Sequence, residues 1–345
     1  MIKVKDKIIS FYKKNRKTIL IVFRIVISVS LITYLIGTQF KDLQNVVDIL
    51  KTANIYLLLL SLSTHIFGIW ITAVRWKTLL DTQKAGLGVR TLTVSVLIGF
   101  FFNNFLPTSI GGDVFRAYDA SGKGKIQLGT SASIILVERF SGVIAAATYA
   151  IVALFLGFTA IGNQSVIIPI VIFFVITIVL AFLIINPSML RLGKLFDRFG
   201  ILRKLKGKLS DVYRTLQSFK KYKMALVKIL IFSFLLQFAV ILNYYLAARA
   251  LGIDLSLTSF LFIVPVITTI AMLPVSIGGI GLRENSLVFI MIALGAVNDK
   301  AALCSLLTFM MLIIVGIIGG ITYNIRPYLK AGTIESSNPE ENTGN

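Results

Sequence analysis

The sequence predicts an all-α protein: a polytopic transmembrane helical bundle with two opposed re-entrant helix hairpins that form an inverted repeat. Three observations carry that expectation. Hydrophobic residues make up 56% of the 345-residue chain and charged residues 14%, with a mean hydropathy of +0.87, which would leave a soluble fold with too little polar surface. Apolar runs recur along the whole chain, several of them near the ~20 residues a helix needs to cross a ~30 Å hydrocarbon core. One motif occurs twice, each time at the end of an apolar segment.

In chain order, residues 1–17 form a basic N-terminus, expected on the cytoplasmic side. The run 18–36 is longer than a signal-peptide core and has no clear small-residue cleavage site, so it reads as a retained first span. Further apolar segments lie at 54–74, 89–106, 131–158, 166–185, 224–250, 257–273, 285–297 and 301–325. Lys and Arg outnumber Asp and Glu by 35 to 15, a formal charge of +20. In a soluble protein that excess would suggest nucleic acid; here it clusters between hydrophobic segments, as positive loops held at the cytoplasmic face do. An anionic lipid is the expected partner and no nucleic acid is expected.

The basic stretches are the N-terminus, residues 75–90 and residues 187–223, and all should be cytoplasmic. Three complete spans over 89–106, 131–158 and 166–185 would put the third stretch outside. The conflict disappears if 89–106 enters from the cytoplasm, breaks at Leu106-Pro107 and returns through a short arm to Arg116, Lys123 and Lys125. The links 157–164 and 252–255 then lie outside, 257–297 forms a second hairpin entering from the outer face, and 301–325 returns the chain to the cytoplasm. Six crossings and two opposed hairpins result, in a single domain over 18–328 of a multi-pass cytoplasmic-membrane protein with both termini cytoplasmic. The tail 329–345 is expected to be disordered.

From Leu106 the chain reads LPTSIGGDVFR, and from Leu273 it reads LPVSIGGIGLRE, with Leu, Pro, Ser, Ile, Gly, Gly and Arg at identical spacing. Pro removes a backbone donor and paired glycines allow a sharp reversal. Backbone freed in this way cannot face lipid, so each break must be buried in protein or line a wet cavity. Pro107, Pro274 and Gly281 are therefore read as structural breaks. The arm after each glycine pair starts with free N–H groups, a seat for phosphate to which Arg116 and Arg283 add charge. Close helix packing alone would also explain the glycines and prolines, but explains the arginines poorly. Asn103, Asn104, Ser109, Gly111, Gly112, Asp113, Ser276, Gly278, Gly279 and Glu284 complete the candidate substrate-binding set around the breaks, with the two asparagines read equally well as caps of freed backbone groups.

The run IILVERFSG places Glu138 and Arg139 within an apolar segment, where a charge at a helix centre costs about 2.5–3.5 kcal/mol on insertion scales. Adjacent helical positions point ~100° apart, so the two should reach different neighbours among Asp113, Arg116, Arg283 and Glu284. The working network pairs Glu138 with an arginine of one hairpin and leaves one arginine for a substrate phosphate; a purely structural lattice of ion pairs is the alternative. His65, near the middle of the second span, is a packing histidine or, if it faces the cavity, a proton-coupling group. Arg75 with Trp76 reads as an interfacial anchor. The leucines and phenylalanines recurring every three or four positions through 187–223 read as an amphipathic interfacial segment. Cys304 is the sole cysteine, so no intrachain disulfide can form, and no Cys/His metal site or cofactor is expected.

The paired motifs together with ILVERFSG resemble the lysylphosphatidylglycerol synthase transmembrane family, also called flippase-like domain proteins, over most of residues 15–328. The resemblance places family motif residues at Asn104, Pro107, Gly111, Gly112, Asp113, Arg116, Glu138 and Arg139, then at Pro274, Gly278, Gly279, Gly281, Arg283 and Glu284. Its best-known members, the multiple peptide resistance factors, join such a region to a soluble aminoacyl transferase domain. No part of this sequence reads as that domain, so lysyl transfer and enzyme activity are not expected. The resemblance implies movement of an anionic phospholipid or polyprenyl-phosphate-linked lipid between leaflets. A membrane enzyme or accessory subunit of lipid-linked glycosyl transfer, and a transporter of a soluble anion, are the alternatives.

Overall fold

The computed structural model describes residues 2–40, 43–106, 111–156, 219, 221–272 and 275–335. Within them every regular element is helical: α1 (Ile2–Gln39), α2 (Leu43–Thr52), α3 (Ile55–Asp81), α4 (Val89–Phe105), α5 (Gly111–Gly124), α6 (Leu128–Phe155), α7 (Lys223–Ala250), α8 (Leu257–Ile270), α9 (Leu282–Ala293) and α10 (Asn298–Glu335). Five stretches are long and apolar enough to cross a membrane: Ile21–Gln39 within α1, α3, α6, α7, and Asn298–Arg326 within α10. The expected crossing at 166–185, the link 157–164, most of the basic segment 187–223, and Pro107, Ser109 and Pro274 lie outside the described residues.

Element ends differ from hydropathy where polar residues continue a helix. The basic N-terminus is helical from Ile2 and runs without a break into the first span. Between the first two spans the chain adds α2, whose Asn45 side-chain amide donates to Asp299 at 2.5 Å. At the other end α10 continues to Glu335, past the boundary at 329 where disorder was expected, while 336–345 lie outside the described residues.

Side-chain contacts fix how the helices run. Asn243 of α7 donates to the Ser61 carbonyl of α3 at 2.8 Å, the Asn54 amide donates to the Ala250 carbonyl at 2.9 Å, and Arg75 reaches Ser233, so α3 and α7 pack antiparallel along their length. Asn54 also caps α3, accepting from the amides of Tyr56 and Leu57. Glycines set the closest approach of α10 to α4: a Cβ on Gly319 would overlap the Leu97 carbonyl oxygen, and one on Gly320 would lie 2.7 Å from the Phe101 ring. Small residues at such contacts are how helices associate without a hydrophobic driving force between them.

Two apolar clusters occupy opposite ends of the bundle. One joins Leu35, Ile49, Leu251, Ile253, Ala301 and the buried face of α8; the other joins Leu79, Leu80, Ala85, Ala120 and Phe219. The short helices α4 and α8, of 17 and 14 residues, reach only about 25 and 21 Å at 1.5 Å per residue, less than a ~30 Å hydrocarbon core. After α4 the chain doubles back: Asp119 of α5 bonds Ser95 of α4, and a Cβ on Gly124 would touch Ala85 and Leu87, just ahead of α4. After α8 and α9 it likewise closes on itself, with Lys300 Nζ donating to the Gly252 carbonyl at 3.3 Å. These two closures sit at opposite ends of the α3–α7 pair, and between them Gly278 packs against the Asn103 carbonyl.

Candidate functional site

Local structure differs between the two copies of the motif. In the first, Gly111 and Gly112 begin α5 directly, and a Cβ on Gly112 would overlap the Gly99 carbonyl oxygen. In the second, Gly278, Gly279 and Gly281 have φ of 57°, 80° and 81°, a left-handed region open mainly to glycine, and the helix starts only at Leu282. Gly281 stands where the first copy has Val114, so the second copy turns once more before it becomes helical. Arg116 consequently sits in the second turn of its helix and Arg283 in the first turn of its own.

The first break delivers its arginine into a buried ion network. Arg116 crosses Gly99, where a Cβ would lie 3.3 Å from its Cγ and Cδ, and stacks its guanidinium 4.2 Å above the buried Trp76 ring. Its Nη2 donates to Glu138 Oε2 at 2.7 Å, and its Nη1 lies 3.7 Å from Asp113 Oδ1. Glu138 also faces Arg75, whose Nε is 3.5 Å from Oε1, while Arg75 Nη1 donates to Ser233 Oγ at 3.1 Å. Arg139 pairs with Asp113 through two nitrogens. Adjacent Glu138 and Arg139 therefore serve different partners, as their 100° separation requires.

Five helices wall a cavity of about 240 Å³ around this network. Arg75 comes from α3, Asp113 and Arg116 from α5, and Glu138 and Arg139 from α6; Leu236 and Gln237 of α7 and Thr268 and Thr269 of α8 close it. Both threonine hydroxyls are turned back onto the Val264 and Pro265 carbonyls, the i−4 bonding open to Ser and Thr within a helix. Three guanidinium groups face two carboxylates, an excess of one positive charge. Arg116 Nε and Gln237 Nε2 are buried without a hydrogen-bond partner among the described residues, while Arg75 Nε and Glu138 Oε1 face each other as an ion pair at 3.5 Å. No group of His, Cys, Asp and Glu suited to a metal ion occurs among the described residues.

The remaining candidates are placed elsewhere. Asn103 Oδ1 accepts from the Gly112 amide at 2.9 Å, and Asn104 Nδ2 donates to the Leu312 carbonyl at 3.0 Å. Arg283 lies outside the cavity and bonds its own neighbour Glu284 at 2.9 and 2.5 Å. That pairing departs from the rule that adjacent residues point apart, because Glu284 curls back to accept from the Gly281 amide at 2.6 Å and so brings its second oxygen beside Arg283. The second break is seated on α1: Ser28 Oγ accepts from the Ile277 amide at 3.0 Å, and Asn285 donates to the Leu31 carbonyl at 2.9 Å. Ser276 is fully buried there, its hydroxyl without a hydrogen-bond partner among the described residues. His65 packs on Phe100, ring centroids 5.9 Å apart, and does not line the cavity.

Arg75 and Trp76 require a correction. The sequence suggested an interfacial anchor, yet both are buried, at 7% and 0% exposure, and Arg75 is a wall of the cavity. The apolar run ends at residue 74, but α3 continues to Asp81, which carries both side chains inside the bundle. Asp119 was also missed. It gathers Ser95, Lys123 and Arg326 and so ties α5 to α4 and α10; its only signal in the sequence is the i,i+4 spacing to Lys123.

Comparison with known proteins agrees with the architecture. The profile of the family described as the lysylphosphatidylglycerol synthase TM region matches residues 21–320. A UPF0104 membrane protein of Pyrococcus horikoshii is 24% identical over 282 residues, 75% of this chain and 83% of its own length. Another UPF0104 membrane protein, from Methanocaldococcus jannaschii, is 27% identical over 128 residues, 37% of this chain and 36% of its own length.

Proposed function

Because the chain belongs to the lysylphosphatidylglycerol synthase transmembrane-region family, we propose that it carries an anionic lipid between leaflets, its phosphate held in the cavity between α3, α5, α6, α7 and α8. The observation that carries this reading is the charge imbalance around the cavity: three guanidinium groups against two carboxylates. An excess cation within the span of a membrane is costly. A phosphate oxygen would neutralise it through the charge-assisted bonds that guanidinium groups form best.

On this reading the two hairpins are re-entrant, α4–α5 from one face and α8–α9 from the other, and their breaks meet near the midplane as in carriers built from inverted repeats. The short lengths of α4 and α8, the closures at opposite ends and the contact of Gly278 with Asn103 support it. The divergent backbones of the two motif copies give the halves separate tasks. The first supplies the charged wall, and the second, tied to α1 with its arginine internally paired, supplies the abutment. Arg116, Arg75 and Arg139 bind phosphate, Glu138 and Asp113 hold those arginines in place, and no step requires bond breaking.

The test is reconstitution in liposomes containing a headgroup-labelled phosphatidylglycerol, with transbilayer movement followed by reductant quenching. Protein-dependent movement that R116Q reduces is the expected result. Absence of such movement for phosphatidylglycerol and for a polyprenyl phosphate alike would remove the reading.

A further inference from the structure

A second group of buried titratable side chains gathers at the other break, outside the cavity. Glu284 has 1% of its side chain exposed and Arg283 12%. Glu284 accepts from the Gly281 amide through Oε2 and from Arg283 through Oε1. Arg283 is also the charge that acts on His65 of α3, whose Nε2 is buried without a hydrogen-bond partner among the described residues. Tyr244 of α7 lies in the field of Arg283, Glu284 and Cys304 of α10. Of the other elements packed on this turn, α8 carries no titratable residue, and α1 meets it with Ser28 and Leu31. Among the described residues Glu284 is thus the carboxylate of this group and Arg283 its countercharge.

Capping alone does not account for a carboxylate at this place. A capping box takes Gln as well as Glu, and the first copy of the motif builds its hairpin with Ala117 there. Nor does the helix enforce the ion pair. Adjacent positions diverge by ~100°, so a turn of the Arg283 side chain breaks the pair while Glu284 stays on the Gly281 amide. The turn that carries Arg283 also backs onto the cavity: a Cβ on Gly279 would lie 2.6 Å from the Ala271 Cβ, and the next residue, Met272, lines the cavity.

We propose that Glu284 is a proton site linked to phosphate binding: when the phosphate of the lipid draws Arg283 to itself, the carboxylate left without its countercharge takes up one proton, and it gives that proton back when Arg283 returns. The proposal rests on the anionic-lipid reading and adds to it a coupled ion. A buried carboxylate stripped of its partner is costly, and neutralisation by a proton removes that cost. The charges balance. The phosphate replaces the carboxylate as acceptor of the Arg283 donors, Glu284 becomes a neutral acid, and a singly charged phosphodiester crosses with one proton as an electroneutral unit. Once protonated, Glu284 still accepts from the Gly281 amide through its carbonyl oxygen, so the turn keeps its cap.

The test adds dioctanoyl phosphatidylglycerol to the full-length protein in weakly buffered phosphatidylcholine nanodiscs containing a pH-indicating dye, with protein-free discs as the blank and binding followed by calorimetry at several pH values. About one proton should be taken up per lipid bound, and affinity should fall about tenfold per pH unit over the range of that uptake. E284Q keeps a capping side chain but frees Arg283, so it should bind the lipid more tightly, with no proton uptake and no such pH dependence. The double variant R283Q/E284Q, which removes both charges together and strands neither, should also show no uptake, and it decides the matter if E284Q does not fold. H65Q should take up the proton as the unmodified protein does. Lipid binding without proton uptake, or uptake that either Glu284 variant retains, would overturn the proposal; loss of uptake in H65Q would overturn it by assigning the proton to the histidine. The two readings fail distinguishably: a lipid that does not bind at all removes the anionic-lipid reading and this one with it, whereas binding without proton uptake removes only the coupling.

Discussion

Arg116 is the residue on which most of the site converges, since one side chain fills the space over Gly99, covers Trp76 and bridges Glu138 and Asp113. R116Q should lower phosphatidylglycerol movement between about tenfold and a hundredfold, the range for losing one buried charged hydrogen bond. R116K should restore little of it, because an ammonium neither stacks on the indole nor spans two carboxylates. Glu138 predicts the opposite balance of stability and function. At 1% exposure it neutralises Arg75 and Arg116 together, so E138Q should destabilise the protein by about 3–5 kcal/mol, the usual result of stranding a buried charge. A thermal melt in detergent checks this, and adding R75Q should recover part of the loss by removing one of the stranded cations. The sequence already marked Glu138 and Arg139 as unusual, because charges within apolar runs need partners, and Asp113 stood among the candidates. It left open which arginine served which carboxylate, because that choice depends on where α5 lands against α6.

At the scale of elements, helix contacts here are set by backbone proximity more than by side-chain bulk. Gly319 and Gly37 make a controlled pair on two long helices: a Cβ on the first would overlap the Leu97 carbonyl, while one on the second would meet nothing within 4 Å. G319A should therefore cost about 1–3 kcal/mol by forcing α10 away from α4. G37A should be neutral or slightly stabilising through helix propensity, and melting curves of the two variants side by side test the contrast. The helices themselves were legible in the sequence as apolar runs. Their ends were not, since α3 carries Arg75 and Trp76 beyond the hydropathy boundary and α6 begins ahead of it. A buried arginine paired to a carboxylate on another helix looks, in one dimension, like a solvated flank.

For the whole molecule, the arrangement in two opposed closures makes a directional prediction. After Cys304, which is fully buried, is replaced by alanine, a cysteine at Lys84 and one at Asp254 should react with an impermeant maleimide from opposite sides of sealed vesicles. Labelling of both from one side would exclude opposed hairpins. The recurrence of LPxSIGG at two breaks suggested two equivalent charged tips, and the fold gives them different surroundings: one arginine lines the cavity and the other closes on its neighbour. The cause is visible at single positions. Gly281 in place of Val114 delays the second helix, and Glu284, which has no counterpart in the first copy because Ala117 stands there, captures Arg283 locally.

The sequence by itself determined that this is a helical membrane protein, that one motif with paired glycines recurs in it, and that charges lie inside apolar segments. Each of these follows from the local rule that a low-dielectric solvent admits only self-satisfied backbone and compensated charge. Only the tertiary structure decided the pairing: Arg75 from α3 beside Arg116 from α5 around one glutamate, Arg139 at the mouth, Arg283 withdrawn from the cavity. Compensation is required of every buried charge, but the partner is chosen by distance between helices, and that distance is fixed by packing contacts such as Gly99 on Gly112, spread too far along the chain for any local pattern to record.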